Sequence, residues 1–298
     1  MTPPASTLRS GLWCVLATPF HGLDLAVDLT SLRKELDLYA AVPADGLVVL
    51  GVFGEAAALD SAEQAAVVAA VAGHDSGLPV VAGIPGRTTA VAVEQATGVV
   101  RAGEGRVEAV MVQANTADPD LLARHLRAVH EAIGTGIVLQ DYPETSGVRI
   151  TPAQVLAVLE ACPFVVAVKS EAPPTAAAIG QVTAKTSVPV FGGLGGVGLL
   201  DELAAGAAGA MTGFSHPEGL RAALDAWSSG GYAAAREAFA PWLPLVNFEA
   251  QPGVGLALRK EILHRRGVFA GGAVRPPARQ IPDVLLDLLP DHLAAVPS

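Results

Sequence analysis

Cysteine and charge are both scarce in this chain of 298 residues. Its two cysteines, Cys14 and Cys162, are too few for a disulfide framework or a zinc ligand set, and both are typical of inert buried thiols. Charged residues make up 16% of the chain and hydrophobic residues 51%, which excludes an intrinsically disordered protein. The formal net charge of −10, with no basic cluster to offset it, argues against a nucleic-acid partner.

Long apolar runs and paired histidines are missing too. No run reaches the roughly 20 residues that span a bilayer, and residues 1–6 show no basic segment leading into the apolar run of a signal peptide. The seven histidines form neither a His-x-His nor a His-x-x-x-His pair, so we expect no metal site. These absences predict a cytoplasmic protein with no membrane partner.

Short β-rich runs alternate with helical patterns along most of the chain. Eight apolar strands, each followed by an amphipathic or alanine-rich helix, indicate a parallel sheet covered on its outer face. Eight units fit a closed (β/α)8 TIM barrel. The alternative is an open doubly wound sheet, which usually has fewer units, and no Gly-x-Gly-x-x-Gly turn follows the first strand. The predicted strands are 12–18, 46–51, 79–83, 109–113, 137–142, 165–169, 188–192 and 209–214.

Strand signals are missing from the last part of the chain. Residues 232–246, 254–266 and 281–295 instead predict three additional helices. We therefore expect a barrel in residues 1–230 and a C-terminal helical extension in residues 231–298. This extension is expected to pack on the barrel or to form part of a subunit contact.

Lys169 is the most informative residue, because it alone of the four lysines closes an apolar strand. Lys34 and Lys260 fall in helical patterns and are expected to be solvated, while Lys185 precedes a Ser-Val-Pro turn. Burial at a strand end disfavours the ammonium form of Lys169. A neutral amine can attack a ketone and form a Schiff base. The alternative is a lysine that extends past the strand end into water.

Two polar residues just after strands are further candidates, since a barrel of this type binds its ligands at the carboxyl ends of the strands. Glu171 has the same strand parity as Lys169 and is a candidate acid–base group; alternatively it is a first-turn charge of the next helix. Arg87 follows the third strand and can pair with a substrate carboxylate. Its alternative is an ordinary surface arginine.

The seventh and eighth strands add candidates for substrate binding. The glycines between residues 192 and 198, Gly192 and Gly193 among them, can form a backbone concavity suited to an anion. A tight turn would use the same glycines. Met211, in the eighth strand, completes the predicted substrate-binding set.

The strand ends together resemble the dihydrodipicolinate synthase / N-acetylneuraminate lyase family. The Thr-Pro-Phe at 18–20, the Gly-x-x-Gly-Glu loop at 51–55, the Pro-x-x-x-Gly loop at 143–147 and the Val-Lys at 168–169 follow the order and spacing of that family. The resemblance implies that Lys169 forms a Schiff base with pyruvate or another 2-oxo acid. It implies no external cofactor, and a homo-oligomer, either a dimer or a tetramer.

The chain departs from the family pattern at two important places. The family's two hydroxyl residues in the strand-two loop are Val52 and Phe53 here, which leaves the backbone amides of this loop, with Gly54, to bind the substrate carboxylate. Gln140 occupies the position of the family's strand-five tyrosine. Tyr142, two residues further on, projects on the same strand face and either replaces the lost phenol or packs as a rim aromatic.

A third departure limits the activity that we predict. The synthases' carboxylate-binding arginine in the strand-five loop is Thr145, so we do not expect a dihydrodipicolinate synthase. We predict a Schiff-base-forming aldolase or dehydratase for a 2-oxo acid, with Lys169, Tyr142 and Glu171 as catalytic residues. The competing interpretation is a non-catalytic or repurposed barrel that binds a small carboxylic acid.

Overall fold

The computed structural model describes residues 6–297 and contains a closed barrel of eight parallel strands. Each strand pairs with the next one along the chain, and β8 closes the barrel against β1. The strands are β1 Gly11–Val15, β2 Gly46–Val49, β3 Val80–Ile84, β4 Val107–Gln113, β5 Gly136–Asp141, β6 Val165–Ser170, β7 Val190–Gly192 and β8 Gly209–Thr212. The predicted (β/α)8 fold is therefore confirmed.

A helix follows each strand and covers the outside of the barrel. These helices are α1 Leu29–Ala41, α2 Ser61–Ala72, α3 Thr89–Ala102, α4 Pro119–Ile133, α5 Pro152–Ala161, α6 Thr175–Thr183, α7 Leu199–Ala204 and α8 Pro217–Phe239. Side chains that point inward fill the barrel and include Trp13 and Phe191, whose ring centroids lie 6.5 Å apart. The interior is thus a packed core, and ligands have access only where the strands end.

The helix starts follow local sequence signals. At α2, the Asp60 side chain accepts a hydrogen bond from the Glu63 backbone N–H at 2.8 Å, and the Glu63 carboxylate accepts one from the Asp60 N–H at 3.1 Å. The same reciprocal arrangement begins α5, between Thr151 and Gln154. Each arrangement satisfies two backbone donors that a helix otherwise leaves unpaired.

The C-terminal part is helical as predicted, but its first helix is divided differently. The chain kinks within α8 at Gly231, which has a φ of 67°, and α8 then continues to Phe239. Residues 240–242 form a 3₁₀ turn and α9 spans Leu243–Glu249, because prolines at 241 and 244 interrupt the backbone hydrogen bonds of a continuous helix. The remaining helices, α10 Gly255–Arg265 and α11 Asp283–Ala294, lie where the sequence indicated them.

Helix α10 lies across the carboxyl end of the barrel and corrects one prediction. Lys260 was expected to be solvated, yet it is 0% exposed and its Nζ lies 2.7 Å from Oε1 of Glu55, just after β2. Its helix faces the barrel mouth rather than water. Within residues 6–297, no helix combines the length and the apolar character needed to cross a membrane.

Candidate active site

Lys169 is buried at the carboxyl end of β6. It is 4% exposed and lies in register with Gln140 on the neighbouring strand β5. Its Nζ is 3.3 Å from Oε1 of Glu171. Of the two positions that the sequence left open for this amine, the structure shows the enclosed one, beside a carboxylate that can accept or return a proton.

Glu171 is fixed by three contacts. Besides the amine, it accepts a hydrogen bond from Gln140 Nε2 at 2.7 Å and one from the backbone N–H of Leu194 at 3.3 Å. A Cβ at position 193 would lie 2.3 Å from the same carboxylate, so Gly193 leaves the room that Glu171 occupies. Because α6 begins only at Thr175, Glu171 is not a first-turn charge of that helix.

Lys169 and Glu171 border a cavity of about 600 Å³. Four other residues that the sequence predicted for the site share its wall: Val52, Phe53, Gln140 and Tyr142. They meet because β2, β5 and β6 end on the same rim of the barrel. A one-turn helix after β5, Pro143–Ser146, was not predicted and brings Glu144 and Thr145 to the same wall.

Tyr142 borders the cavity as a protonated phenol. Burial, and then the nearby carboxylates of Glu171 and Glu144, raise the pKa of this phenol above its ordinary value of 10.0. Near neutral pH the hydroxyl therefore donates a hydrogen bond or a proton, and it does not begin a reaction as a base. Tyr142 therefore lies beside the cavity, and its role as a replacement for the family's phenol stays a prediction.

Five predicted site residues do not border this cavity. Arg87 is exposed, borders an adjoining cavity of about 530 Å³ and donates a hydrogen bond to the Ser146 carbonyl. Gly54 is used in a turn, in which its N–H bonds to the Gly51 carbonyl at 2.9 Å. Met211 is 0% exposed in the packed barrel interior. Gly193 has no side chain and so leaves room for Glu171, as described above. Gly192 leaves room in the same way for the carboxylate of Glu202.

The glycine segment after β7 uses its amide groups internally. The Leu194 N–H bonds to Glu171, and the Gly195 N–H donates to the Thr212 hydroxyl at 2.8 Å. The Gly196 N–H bonds to the Gly193 carbonyl at 3.1 Å. The segment is therefore the tight turn that the sequence left as an alternative, and the amides of residues 194–196 already have partners.

Sequence reasoning missed Arg259 and Glu249, which also border the cavity. Both come from the C-terminal helices, and both side chains are almost completely buried. The helical patterns around these residues gave no sign that the side chains would be buried. Arg259 sits in the same charged run as Lys260, which the sequence suggested was solvated. Among residues 6–297, no group of three or more histidine, cysteine, aspartate or glutamate side chains has an arrangement that could hold a metal ion.

Fold and site together define a class: TIM-barrel proteins with a buried lysine at the end of the sixth strand. The model of the dihydrodipicolinate synthetase family matches residues 9–289, and the chain belongs to this family. The enzymes of the family are lyases.

Individual relatives differ in activity. The chain is 34% identical to 4-hydroxy-tetrahydrodipicolinate synthase 1 of Streptomyces coelicolor, over 89% of this chain and 87% of that protein. It is 27% identical to the L-2-keto-3-deoxyarabonate dehydratase of Azospirillum brasilense, over 97% of this chain and 95% of that protein. The crystal structure of a dihydrodipicolinate synthase from Rhodopseudomonas palustris superposes with a TM-score of 0.90 at 29% identity, and the match covers 98% of this chain and 99% of that one.

Proposed function

We propose that this protein is a Schiff-base-forming lyase, an aldolase or a dehydratase, that acts on pyruvate or another 2-oxo acid. The observation that carries the proposal is the enclosed amine of Lys169, 3.3 Å from the carboxylate of Glu171, at the wall of a cavity of about 600 Å³. A cavity of this size suits a small metabolite. The proposed setting is the cytoplasm, and the proposed assembly is a homodimer or homotetramer, as the family resemblance implies.

The reaction begins when Glu171 takes a proton from the Lys169 ammonium group. The free amine attacks the ketone carbon, and one proton passes from the attacking nitrogen to the former ketone oxygen, with Tyr142 as the relay. Glu171 then returns its proton to the resulting hydroxyl group, which leaves as water. The resulting iminium ion accepts the electron pair that is released when an adjacent C–H or C–C bond breaks. Tyr142 and Glu171, which both border the cavity, then carry protons to and from the substrate.

The proposal excludes dihydrodipicolinate synthase activity. The support is Thr145 on the cavity wall, where the synthases carry an arginine, together with apolar side chains at Val52 and Phe53. The dehydratase relative acts on a 2-keto-3-deoxy sugar acid by its name, and we propose a substrate of that broader class for this chain. A turnover with pyruvate and aspartate semialdehyde in the ordinary range of about 1–10³ per second would contradict this exclusion.

Borohydride trapping tests the proposal directly. Each member of a panel of 2-oxo acids, from pyruvate to longer hydroxylated acids, is incubated with the protein and sodium borohydride, and the modified peptide is identified by mass spectrometry. We expect a reduced adduct on Lys169. An adduct on Lys34, Lys185 or Lys260, or no adduct across the panel, would contradict the proposal.

The same measurement separates the competing function, a barrel that binds a small acid without turnover. That function has one specific support: the hydroxyl side chains of the family's carboxylate-binding loop are missing at Val52 and Phe53. An adduct on Lys169 without any product from the panel would favour it. An adduct on Lys169 together with an aldehyde or a dehydrated 2-oxo acid, found in a parallel incubation without borohydride, favours the lyase.

A further inference from the structure

Arg259 is a buried cation with an unused hydrogen-bond donor. The residue is 1% exposed. Its Nε donates to Oε2 of Glu249 at 2.9 Å, whereas its Nη1 is buried and has no hydrogen-bond partner among residues 6–297. Buried donors are almost always paired, so this guanidinium nitrogen is able to take a further acceptor, either a water or a ligand oxygen.

The surroundings hold this guanidinium firmly in the barrel mouth. The Phe53 ring covers one face, with its centroid 3.8 Å from the guanidinium carbon. A Cβ at Gly213 would lie 2.9 Å from Nη1, and a Cβ at Gly195 would lie 3.4 Å from Nη2. The loops after β7 and β8 therefore leave space for this side chain, and the guanidinium borders the same cavity as Lys169.

Glu249 balances the charge of Arg259 only in part. Its carboxylate also accepts hydrogen bonds from the Ser215 backbone N–H, at 3.2 Å, and from the Ser215 hydroxyl. It engages Arg259 through Nε alone, which leaves the fork of Nη1 and Nη2. A planar fork of this kind matches the two oxygens of a carboxylate.

The position of Phe53 links this arginine to the departure seen in the sequence. At the two positions where the family carries hydroxyl residues, this chain has Val52 and Phe53. Neither side chain can donate a hydrogen bond to an anion. Phe53 instead packs on the guanidinium of Arg259. The loop that lost its own donors thus supports a stronger donor from α10.

We propose that Arg259 is the residue that binds a carboxylate of the substrate in this cavity. The inference rests on the proposed function, since it takes the ligand to be a 2-oxo acid. The carboxylate is either the one next to the ketone or a second one at the far end of the substrate. In both cases, a guanidinium Nη nitrogen of Arg259 donates to a carboxylate oxygen.

The test compares acids with their esters. The concentration that gives half-maximal borohydride trapping is measured for pyruvate and methyl pyruvate, and for 2-oxoglutarate and its 5-methyl ester. We expect Arg259→Met to raise this concentration roughly 10- to 100-fold for an acid and to leave it nearly unchanged for the matching ester. A difference between pyruvate and methyl pyruvate identifies the carboxylate next to the ketone. A difference between 2-oxoglutarate and its 5-methyl ester identifies the carboxylate at the far end of the substrate. Arg259→Lys, which keeps the charge but not the fork, should give an intermediate loss.

Two variants control for folding. Arg259→Met leaves Glu249 buried without its partner, so the double variant Arg259→Met/Glu249→Gln is measured beside it, with thermal unfolding of each. Arg265, on the same helix, pairs with Glu261 and is 34% exposed, and Arg265→Met should leave every ratio unchanged. Acid and ester are compared in one preparation of the protein. A partly unfolded sample therefore lowers the amount of trapped adduct equally for both.

The outcomes distinguish this inference from the proposed function. An unchanged preference for acid over ester, in both pairs and in the folded variants, would overturn the role of Arg259 while the Lys169 adduct stands. Calorimetric titration of pyruvate and 2-oxoglutarate into Lys169→Met, with and without Arg259→Met, measures carboxylate binding without a Schiff base. Weaker binding to the double variant than to Lys169→Met alone supports the role of Arg259 even if no adduct ever forms. Equal binding to the two variants overturns that role.

Discussion

Two buried lysine–glutamate pairs lie at the carboxyl end of this barrel, and they differ in what surrounds them. Lys169 and Glu171, both near the end of β6, border a cavity and are 3.3 Å apart. Lys260 and Glu55 come from α10 and the loop after β2 and are 2.7 Å apart; Lys260 is 0% exposed, and of the two only Glu55 borders a cavity, the adjoining one of about 530 Å³. We call them the open pair and the closed pair. Burial alone therefore does not distinguish the two lysines; of the two, only Lys169 is accessible to a ligand, as the proposed nucleophile has to be.

The closed pair is saturated with contacts. The Lys260 ammonium lies 4.1 Å from the centroid of the Phe20 ring, and the second oxygen of Glu55 accepts the Arg275 backbone N–H at 2.9 Å. Burial lowers the pKa of Lys260, and the Glu55 carboxylate opposes that shift. The pair joins segments 205 residues apart in the chain, so its role is to fix α10 over the barrel mouth.

The largest expected effect is on the open pair. Lys169→Met should lower turnover of the substrate found by trapping about 10⁴-fold or more, because no other group can form the iminium ion. The variant also leaves the Glu171 carboxylate buried without its cation and should lower the unfolding temperature, although Glu171 keeps donors in Gln140 and the Leu194 N–H, so turnover is compared at a temperature where the variant is folded. Steady-state kinetics and calorimetry check both parts. Residual turnover within 10-fold of the wild type would show that the open pair is not the reacting one.

A smaller loss is expected from the phenol beside the open pair. Tyr142→Phe removes a proton donor and should slow turnover by about 10²–10⁴-fold, while the Lys169 adduct still forms. Single-turnover kinetics with mass spectrometry of the adduct measure the two steps. Unchanged turnover in a folded variant would assign Tyr142 to packing and leave Glu171 as the proton carrier, which Glu171→Gln would then test.

The closed pair should respond in stability. Lys260→Met leaves the Glu55 carboxylate buried without its cation and should lower the free energy of unfolding by about 3–5 kcal/mol. Urea denaturation measures this value. The double variant Lys260→Met/Glu55→Gln should recover part of the loss, because it removes the uncompensated charge. A loss below about 1 kcal/mol in the single variant would mean that water reaches the closed pair after all.

The last expected effect appears only as a pH dependence and concerns a third carboxyl close to the closed pair. Burial raises the pKa of Glu35 from 4.5 to about 8, against hydrogen bonds from the Ala17 N–H and the Tyr39 hydroxyl. The folded state therefore holds this proton more tightly than the unfolded state does. Its contribution to stability is complete below pH 4.5 and is lost as the pH rises to about 8, at no more than about 1.4 kcal/mol per pH unit.

Glu35→Gln should remove the contribution of Glu35 to the pH dependence of the free energy of unfolding. Unfolding free energies measured by urea denaturation from pH 4.5 to 8.5 should fall more steeply in the wild type than in the variant. Glu131→Gln, at an exposed position of α4, is the matched control and should follow the wild type. Parallel curves for Glu35→Gln and the wild type would show that Glu35 is ionised throughout.

The order of elements, the barrel and the special position of Lys169 were determined by the sequence itself. Each depends on patterns that are local: apolar runs of strand length, capping residues, and a lysine that closes such a run. Alternation along a strand, which decides which side chains share a face, identified Glu171 and placed Tyr142 on the face of Gln140, whereas Gln140 itself was identified by the family resemblance. The motifs at the strand ends also sufficed to indicate the family.

Only the tertiary structure decided which groups meet across the barrel mouth. The helical pattern of residues 254–266 is the same whether Arg259 and Lys260 face water or the barrel, so the sequence suggested water. Their burial depends on contacts with Glu55, Phe53 and the glycines after β7 and β8, far away along the chain. Local periodicity carries no information about such long-range packing, because it records that a helix has two faces and not what each face will cover.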